Sequence, residues 1–263
     1  MKTRTLAIAL AIFNFYCTYG QTKKVTLDYY FNQEFKKNSK GEMQRFHYMW
    51  SDFGESGYSE LGSWFTKNGF ALDSLTTAPT KANLKETSVY VIVDPDTDRE
   101  TTKPNSIQPQ DSKAITHWVK NGGLLVIMAN DTLNSEFTQL NKLTETFGIH
   151  LNGDSKSKVY NNKYDMAAFI IPVNDPIFKT AKKVYLKEVS SLKLSKGAVP
   201  ILVHQKEHYV VGATAKFGKG FVVVIGDPWF YNEYLNGRLG TINGWDNDKA
   251  ADDFTKWLFT KSR

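Results

Sequence analysis

The sequence predicts an α/β fold: a mostly parallel sheet flanked by helices, with an inserted antiparallel section around residues 151–215. Two patterns predict it. Ser88–Val93, Leu124–Met128 and Phe221–Ile225 are short, almost wholly apolar runs, as expected of strands covered on both faces. Amphipathic stretches alternate with them, which is the pattern of βαβ units. The handedness of such crossovers places helices on both sides of the sheet.

In chain order, Val25–Phe31 reads as a first strand, rich in β-branched and aromatic residues. A polar stretch, Asn32–Gln44, follows, with Lys36–Gly41 at its tip, and leads into Arg45-Phe46-His47-Tyr48. Tyr58–Asn68 fits a helix closed by Gly69. Ser112–Asn121 fits another, with Ala114, Ile115, Trp118 and Val119 on one face and Gly122-Gly123 as its C-cap. Ser135–Phe147 is a third, presenting Phe137, Leu140, Leu143 and Phe147 and ending at Gly148. Residues 151–200 are Lys-rich and alternating, with Asn174-Asp175-Pro176 turn chemistry, and read as the antiparallel insertion. Tyr209–Thr214 and Phe221–Ile225 form a hairpin about Gly218-Lys219-Gly220. A last helix begins at Asp248, with Ala250, Ala251, Phe254, Trp257 and Leu258 on one face.

Composition bounds the function. The 263 residues hold 33 Lys+Arg, 27 Asp+Glu, 5 His and one Cys; 41% are hydrophobic, 23% charged and 14% aromatic. That mixture excludes a disordered chain, a collagen and a coiled coil. Met1–Gly20 reads as a secretory signal: Lys2 and Arg4 precede the apolar stretch Leu6–Tyr16, and Thr18 and Gly20 flank a cut before Gln21. The apolar stretch is shorter than the about 20 residues a bilayer needs, so no integral membrane segment is expected after cleavage. A lipoprotein anchor on Cys17 ranks second, because Asn14-Phe15-Tyr16 is bulky for that role. Residues 21–263 read as one α/β domain, exported to the periplasm or beyond. Removing Lys2 and Arg4 takes the formal net charge from +6 to +4 and takes away the only cysteine, which excludes cysteine-dependent chemistry in the mature chain. The lysines are scattered, with no Arg-rich stripe, which favours anionic ligands over nucleic acid.

Three apolar strands end in polar residues: Val93 into Asp94 and Asp96, Met128 into Asn130 and Asp131, and Ile225 into Asp227. Each alone reads as an Asx turn or a helix cap. Together, if the strands are parallel, they share the edge where open α/β sheets bind ligands. The segment from Asp227 to Arg238 adds Trp229, Tyr231, Asn232, Tyr234 and Arg238, a mixture suited to a sugar: rings against its apolar faces, amides on its hydroxyls, a guanidinium on a carboxylate or sulfate. The alternative is a helix start with Trp229 and Phe230 in the core. Among the five histidines, His117 reads as structural, His150 as a strand boundary, and His204 and His208 as solvated turn residues. His47 stands out because Arg45 and Tyr48 flank it. Asp94-Pro95-Asp96-Thr97-Asp98 lacks the Gly and Glu of a calcium loop, and no nucleophile elbow, Walker loop, dinucleotide fingerprint or zinc motif is present, so neither metal nor cofactor is expected.

These motifs, namely Arg45-Phe46-His47-Tyr48, Val93-Asp94-Pro95-Asp96-Thr97, Gly122-Gly123, Asn130-Asp131, Gly226-Asp227-Pro228-Trp229, Tyr231-Asn232-Glu233-Tyr234 and Gly237-Arg238, resemble those of a bacterial family of exported proteins from polysaccharide-degradation loci. The resemblance runs from about Val25 to the last helix. It implies a class I glutamine-amidotransferase-like, flavodoxin-like fold without the amidotransferase cysteine, and a working association with unsaturated glucuronyl hydrolases. Members from ulvan degraders are oligosaccharide dehydratases: they remove water from a non-reducing-end glucuronic acid and leave a 4,5-unsaturated uronyl residue. Such an elimination needs a cation on the C6 carboxylate, a base for the C5 proton and an acid for the departing 4-hydroxyl. Arg45 and Arg238, aided by Asn232, suit the first task, His47 the second, and Tyr48 or Tyr231 the third. Asp94, Asp131 and Asp227 suit sugar hydroxyls or the orientation of His47. The rival readings are a non-catalytic module for anionic oligosaccharides, a hydrolase or esterase of the same pathway, and a structural scaffold.

Overall fold

The computed structural model describes residues 22–239 and 244–263; Met1–Gly20, expected as a secretory signal, and Cys17 within it lie outside the described residues. In chain order the elements are β1 (Lys24–Asp28), β2 (Phe35–Lys37), β3 (Met43–Arg45), α1 (Ser59–Lys67), β4 (Ala71–Leu75), β5 (Val89–Val93), α2 (Pro109–Lys120), β6 (Leu124–Met128), α3 (Phe137–Thr144), β7 (Ile149–Leu151), β8 (Ala168–Ile170), β9 (Lys183–Tyr185), β10 (Leu192–Leu194), β11 (Val199–Val203), β12 (Val210–Phe217), β13 (Gly220–Ile225) and α4 (Asn247–Lys261). The main sheet has nine strands in the order β4-β1-β5-β6-β13-β12-β10-β7, with β11 beside β12. The five from β4 to β13 are mutually parallel. From β12 onward the pairings are antiparallel, as the Lys-rich section predicts.

The apolar strands are explained by two cores, one on each face. Val89, Val91 and Val93 point with Val25, Leu27, Val126 and Met128 toward Leu61 and Phe65 of α1 and Phe254 and Leu258 of α4. The alternate residues Tyr90, Ile92, Leu125, Ile127, Val222 and Val224 point toward Ile115 and Val119 of α2 and Leu140 and Leu143 of α3. A side-chain period of two on strands wrapped from both sides leaves no solvent face to be polar.

Two boundaries and one strand differ from what the sequence suggests. The first strand stops at Asp28, not Phe31, because Asp28 Oδ1 accepts the backbone N–H of Tyr30 (3.1 Å) and of Phe31 (2.7 Å) and turns the chain off the sheet. The edge strand β4 carries mostly exposed residues, Ala-Leu-Asp-Ser-Leu, and so lacks the alternation that marks a strand. Helix α2 begins at Pro109, where a missing N–H is harmless, and Asp111 Oδ2 accepts the N–H of Gln108 at 2.9 Å. Gly148 ends the third helical segment at φ +83°, and a Cβ there would lie 2.2 Å from the carbonyl oxygen of Ser195. No helix among the described residues is long and apolar enough to cross a membrane.

Candidate functional site

Four adjacent parallel strands, β1, β5, β6 and β13, end on one edge, and each ends in polar side chains: Asp28, Asp94, Asn130-Asp131 and Asp227. Asp28, Asp94 and Asp227 are each less than 5% exposed, and Asp131 is 8% exposed. The charges of Asp94 and Asp131 both act on Asp227, so the three strand ends expected to converge do so.

Asp94 is the hub. Its Oδ2 accepts the Tyr48 hydroxyl (3.1 Å) and Asn130 Nδ2 (3.3 Å), its carbonyl accepts Asn32 Nδ2 (2.9 Å), and its Oδ1 is buried with no partner. Burial, reinforced by the charge of Glu100, raises its pKa well above the carboxylate range. Asp227 makes no hydrogen bond among the described residues, and burial, then the charge of Glu233, raises it likewise. Asp96 accepts the N–H of Gln33 at 3.0 Å, and burial pushes it up to about 6.

The loop after β3 brings the second half of the site. His47 and Tyr48 are consecutive non-glycine residues at positive φ, +64° and +44°, and Asp94 opposite them is at +44°. Such conformations cost of order 1–3 kcal/mol each and gather at functional sites. His47 Nδ1 lies 2.6 Å from Oε1 of the buried Glu34. With Nδ1–H donating to that carboxylate, Nε2 is left as a free acceptor on a side chain that is 30% exposed. The guanidinium of Arg45 lies over the Tyr29 ring at 4.5 Å, with Nε and Nη2 buried and unpartnered. Burial lowers its pKa, while Asp28, Tyr29, Asp96 and Glu34 oppose that shift. Tyr231 reaches the site through its ring, 6.3 Å from that of Tyr48.

Several expected placements are corrected. Trp229 is fully buried, stacked 4.2 Å from Phe230 and edge-on to Phe178 at 5.5 Å; it is core and cannot serve as a sugar platform. Tyr234 is 1% exposed and packs on Tyr185 and Tyr231. Asn232 is a pin: Nδ2 donates to the carbonyls of Asp52 (3.0 Å) and Gly54 (2.8 Å) and to Ser59 Oγ (2.9 Å), and Oδ1 accepts the N–H of Glu60 (3.0 Å). Arg238 is exposed, donates to the carbonyl of Phe53 at 2.9 Å and has no hydrogen bond or ion pair with a strand-end carboxylate among the described residues. Asp131 accepts Asn134 Nδ2 at 2.6 Å, which is turn chemistry. His204, read as solvated, is 7% exposed and stacks on Tyr209 at 4.8 Å. Because the fully buried Asn232 anchors the 52–60 loop by four hydrogen bonds, Asn232→Ala is expected to lower stability by about 2–4 kcal/mol in urea titration, more than a surface change would.

Asp28, Glu34 and Tyr58 join the site without having been expected. Asp28 ends a strand like the others, but taking the strand to Phe31 hides it. Glu34 lies in a stretch that reads as a solvated loop. Tyr58 donates to the carbonyl of Pro228 at 3.0 Å and packs edge-on against Tyr48 at 5.4 Å. Burial, opposed by the Tyr90 hydrogen bond, pushes Asp28 up to about 6 from its ordinary 3.8. A folded-state pKa above the unfolded one means that the protonated fold is favoured, fully below about pH 4, and that this advantage is lost as pH rises through about 6. Two pH units correspond to about 3 kcal/mol. Asp28→Asn should therefore match the parent in stability near about pH 4 and exceed it progressively toward about pH 8; a pH-independent difference in urea titrations would contradict this.

Fold and site together define an α/β protein with a buried acidic cluster at the carboxyl ends of its parallel strands. The sequence matches no family model, and no curated protein matches it. Solved structures do share the fold. The mmIFT52 N-terminal domain is 18% identical with a TM-score of 0.68, over 90% of this chain and 98% of that one. Cytoplasmic protein STM1381 from Salmonella typhimurium LT2 is 13% identical with a TM-score of 0.61, over 92% and 100%. Cytoplasmic protein STM3548 from Salmonella typhimurium is 14% identical with a TM-score of 0.59, over 92% and 99%. At these identities the likeness speaks for the arrangement of strands and helices and for no chemistry. None of the three is named for polysaccharide degradation or for an amidotransferase.

Proposed function

We propose that the protein is a carbon–oxygen lyase that removes water from a uronic acid at the non-reducing end of an oligosaccharide, in the degradation of ulvan or a similar exported-enzyme pathway. One observation carries the reading: an imidazole fixed by a carboxylate, His47 on Glu34, stands next in sequence to a phenol fixed by a carboxyl, Tyr48 on Asp94. A base and an acid on adjacent residues, each held by a buried partner, suit an elimination across adjacent carbons. The C5–H bond breaks and its proton goes to His47 Nε2. The electron pair becomes the C4=C5 double bond. The C4–O bond breaks and the hydroxyl takes the Tyr48 proton to leave as water, with Tyr231 as the other candidate acid. Arg45, whose donors lack partners, meets the C6 carboxylate. The raised pKa values of Asp94 and Asp227 fit this assignment, because neutral carboxyls at the edge do not repel a uronate. The motif resemblance supports the same substrate class, and the product is what an unsaturated glucuronyl hydrolase consumes.

The test incubates the purified protein with a saturated, glucuronate-capped oligosaccharide. Loss of one water by mass spectrometry, with new ultraviolet absorbance from a conjugated uronate, is expected. Two buried carboxyls on one sheet edge, Asp94 and Asp227, favour glycoside hydrolysis as a second reading, since hydrolases use paired carboxyls. Reducing sugar without that absorbance would select it, and affinity without any product would select a binding module.

A further inference from the structure

At the opposite edge of the sheet, where β5 and β6 begin, a cleft of about 530 Å³ opens between the loop before β5 and the end of α2. It is remote from the strand-end site, and its residues play no part in the proposed reaction. Three cations line it: Lys81, Lys85 and Arg263. Among the described residues Lys81 and Arg263 have no carboxylate partner, and Lys85 has only Glu86 at 3.9 Å. The half-buried ring of Trp118 forms one wall, held edge-on by Tyr90 at 6.3 Å. Ser88 and Asn121 add a hydroxyl and an amide.

The wall is shaped by Gly122-Gly123, which does more than end α2. A Cβ on Gly122 would lie 1.9 Å from Arg263 Nη2, and one on Gly123 would lie 2.3 Å from the Trp118 ring. The two glycines therefore let a guanidinium and an indole lie flat against the same turn. A flat aromatic face flanked by long cations is the arrangement that holds a ring bearing spaced negative charges. Glu86 also lines the cleft, and its negative charge disfavours the dense charge of a polyphosphate.

We propose that this cleft is a second binding site, for a sulfated or carboxylated saccharide whose ring packs on Trp118 and whose anionic groups meet Lys81, Lys85 and Arg263. The proposal stands apart from the dehydratase reading, since it needs no catalysis. The probe is a sulfated, uronate-containing disaccharide, titrated by calorimetry and by the Trp118 indole resonance, assigned by its loss in Trp118→Phe. The host is the His47→Asn, Arg45→Gln double variant, so that neither turnover nor uronate binding on Arg45 at the strand-end edge can mimic the result. Saturable binding that shifts the Trp118 signal is expected. Replacing Lys81 and Lys85 together by Ala should weaken it about tenfold and flatten its salt dependence, because two exposed, salt-screened ion pairs are lost. Trp118→Phe should bind more weakly but still bind. No binding at millimolar probe, equal binding of the neutral disaccharide, or tighter binding of ATP than of the probe would overturn the proposal.

Discussion

His47→Asn is expected to lower turnover of a glucuronate-capped oligosaccharide by about 10²–10⁴-fold, the range that a positioned acid or base contributes. Asn is chosen because position 47 sits at φ +64°, a conformation that Asn adopts more readily than most residues. The backbone strain therefore stays as it is, while the imidazole disappears. Among the described residues the ring's one hydrogen bond is to the buried Glu34, so the unfolding midpoint should fall modestly as that carboxylate loses a donor, and turnover is compared well below it. Glu34→Gln should act on the same step more weakly: it keeps an acceptor for Nδ1–H but loses the charge that stabilises the imidazolium. Its effect should fall on kcat rather than KM. Normal turnover by His47→Asn would remove His47 as the base.

Asp227→Asn should raise thermal stability while lowering turnover. A carboxyl that is 2% exposed and without a hydrogen bond among the described residues is a cost to the fold. Replacing it by an uncharged isostere should stabilise by about 1–3 kcal/mol at neutral pH, read by urea titration, because the penalty of holding an acid away from water disappears. The gain should shrink as pH falls, since the raised folded pKa means the parent is already protonated there. Residues that weaken a fold without a compensating partner are found where function needs them, and relieving them is a recognised route to a stable but inactive protein. Asp227→Asn with lower stability at every pH would mean that the carboxyl serves the fold instead.

The sheet and its helices were legible because burial on both faces writes itself as apolar runs such as Val89–Val93 and Leu124–Met128, and because glycines such as Gly69 and Gly148 stand where helices must end. The convergence of Asp94, Asn130-Asp131 and Asp227 followed from parallel strands ending on one side. The edge strand β4 was not legible, since an exposed edge has no core to pattern it. Asp28 and Glu34 were hidden for a different reason: what makes them part of the site is an Asx turn and a loop that folds back, and neither leaves a periodic trace. Trp229, Tyr234 and Asn232 misled because residue type is ambiguous between ligand and core. An aromatic suits a sugar or another aromatic, and an amide suits a hydroxyl or a backbone carbonyl; only packing against Phe230, Tyr185 and Asp52 decides.

The central claim, proton abstraction at C5 followed by loss of the 4-hydroxyl, is tested most directly with an oligosaccharide deuterated at C5 of its terminal glucuronate. The account predicts slower turnover of the labelled substrate, a product lighter by one molecule of water and stripped of the label, and neither in His47→Asn. A product that keeps its deuterium, or a cleaved glycosidic bond with the terminal sugar intact, would contradict it.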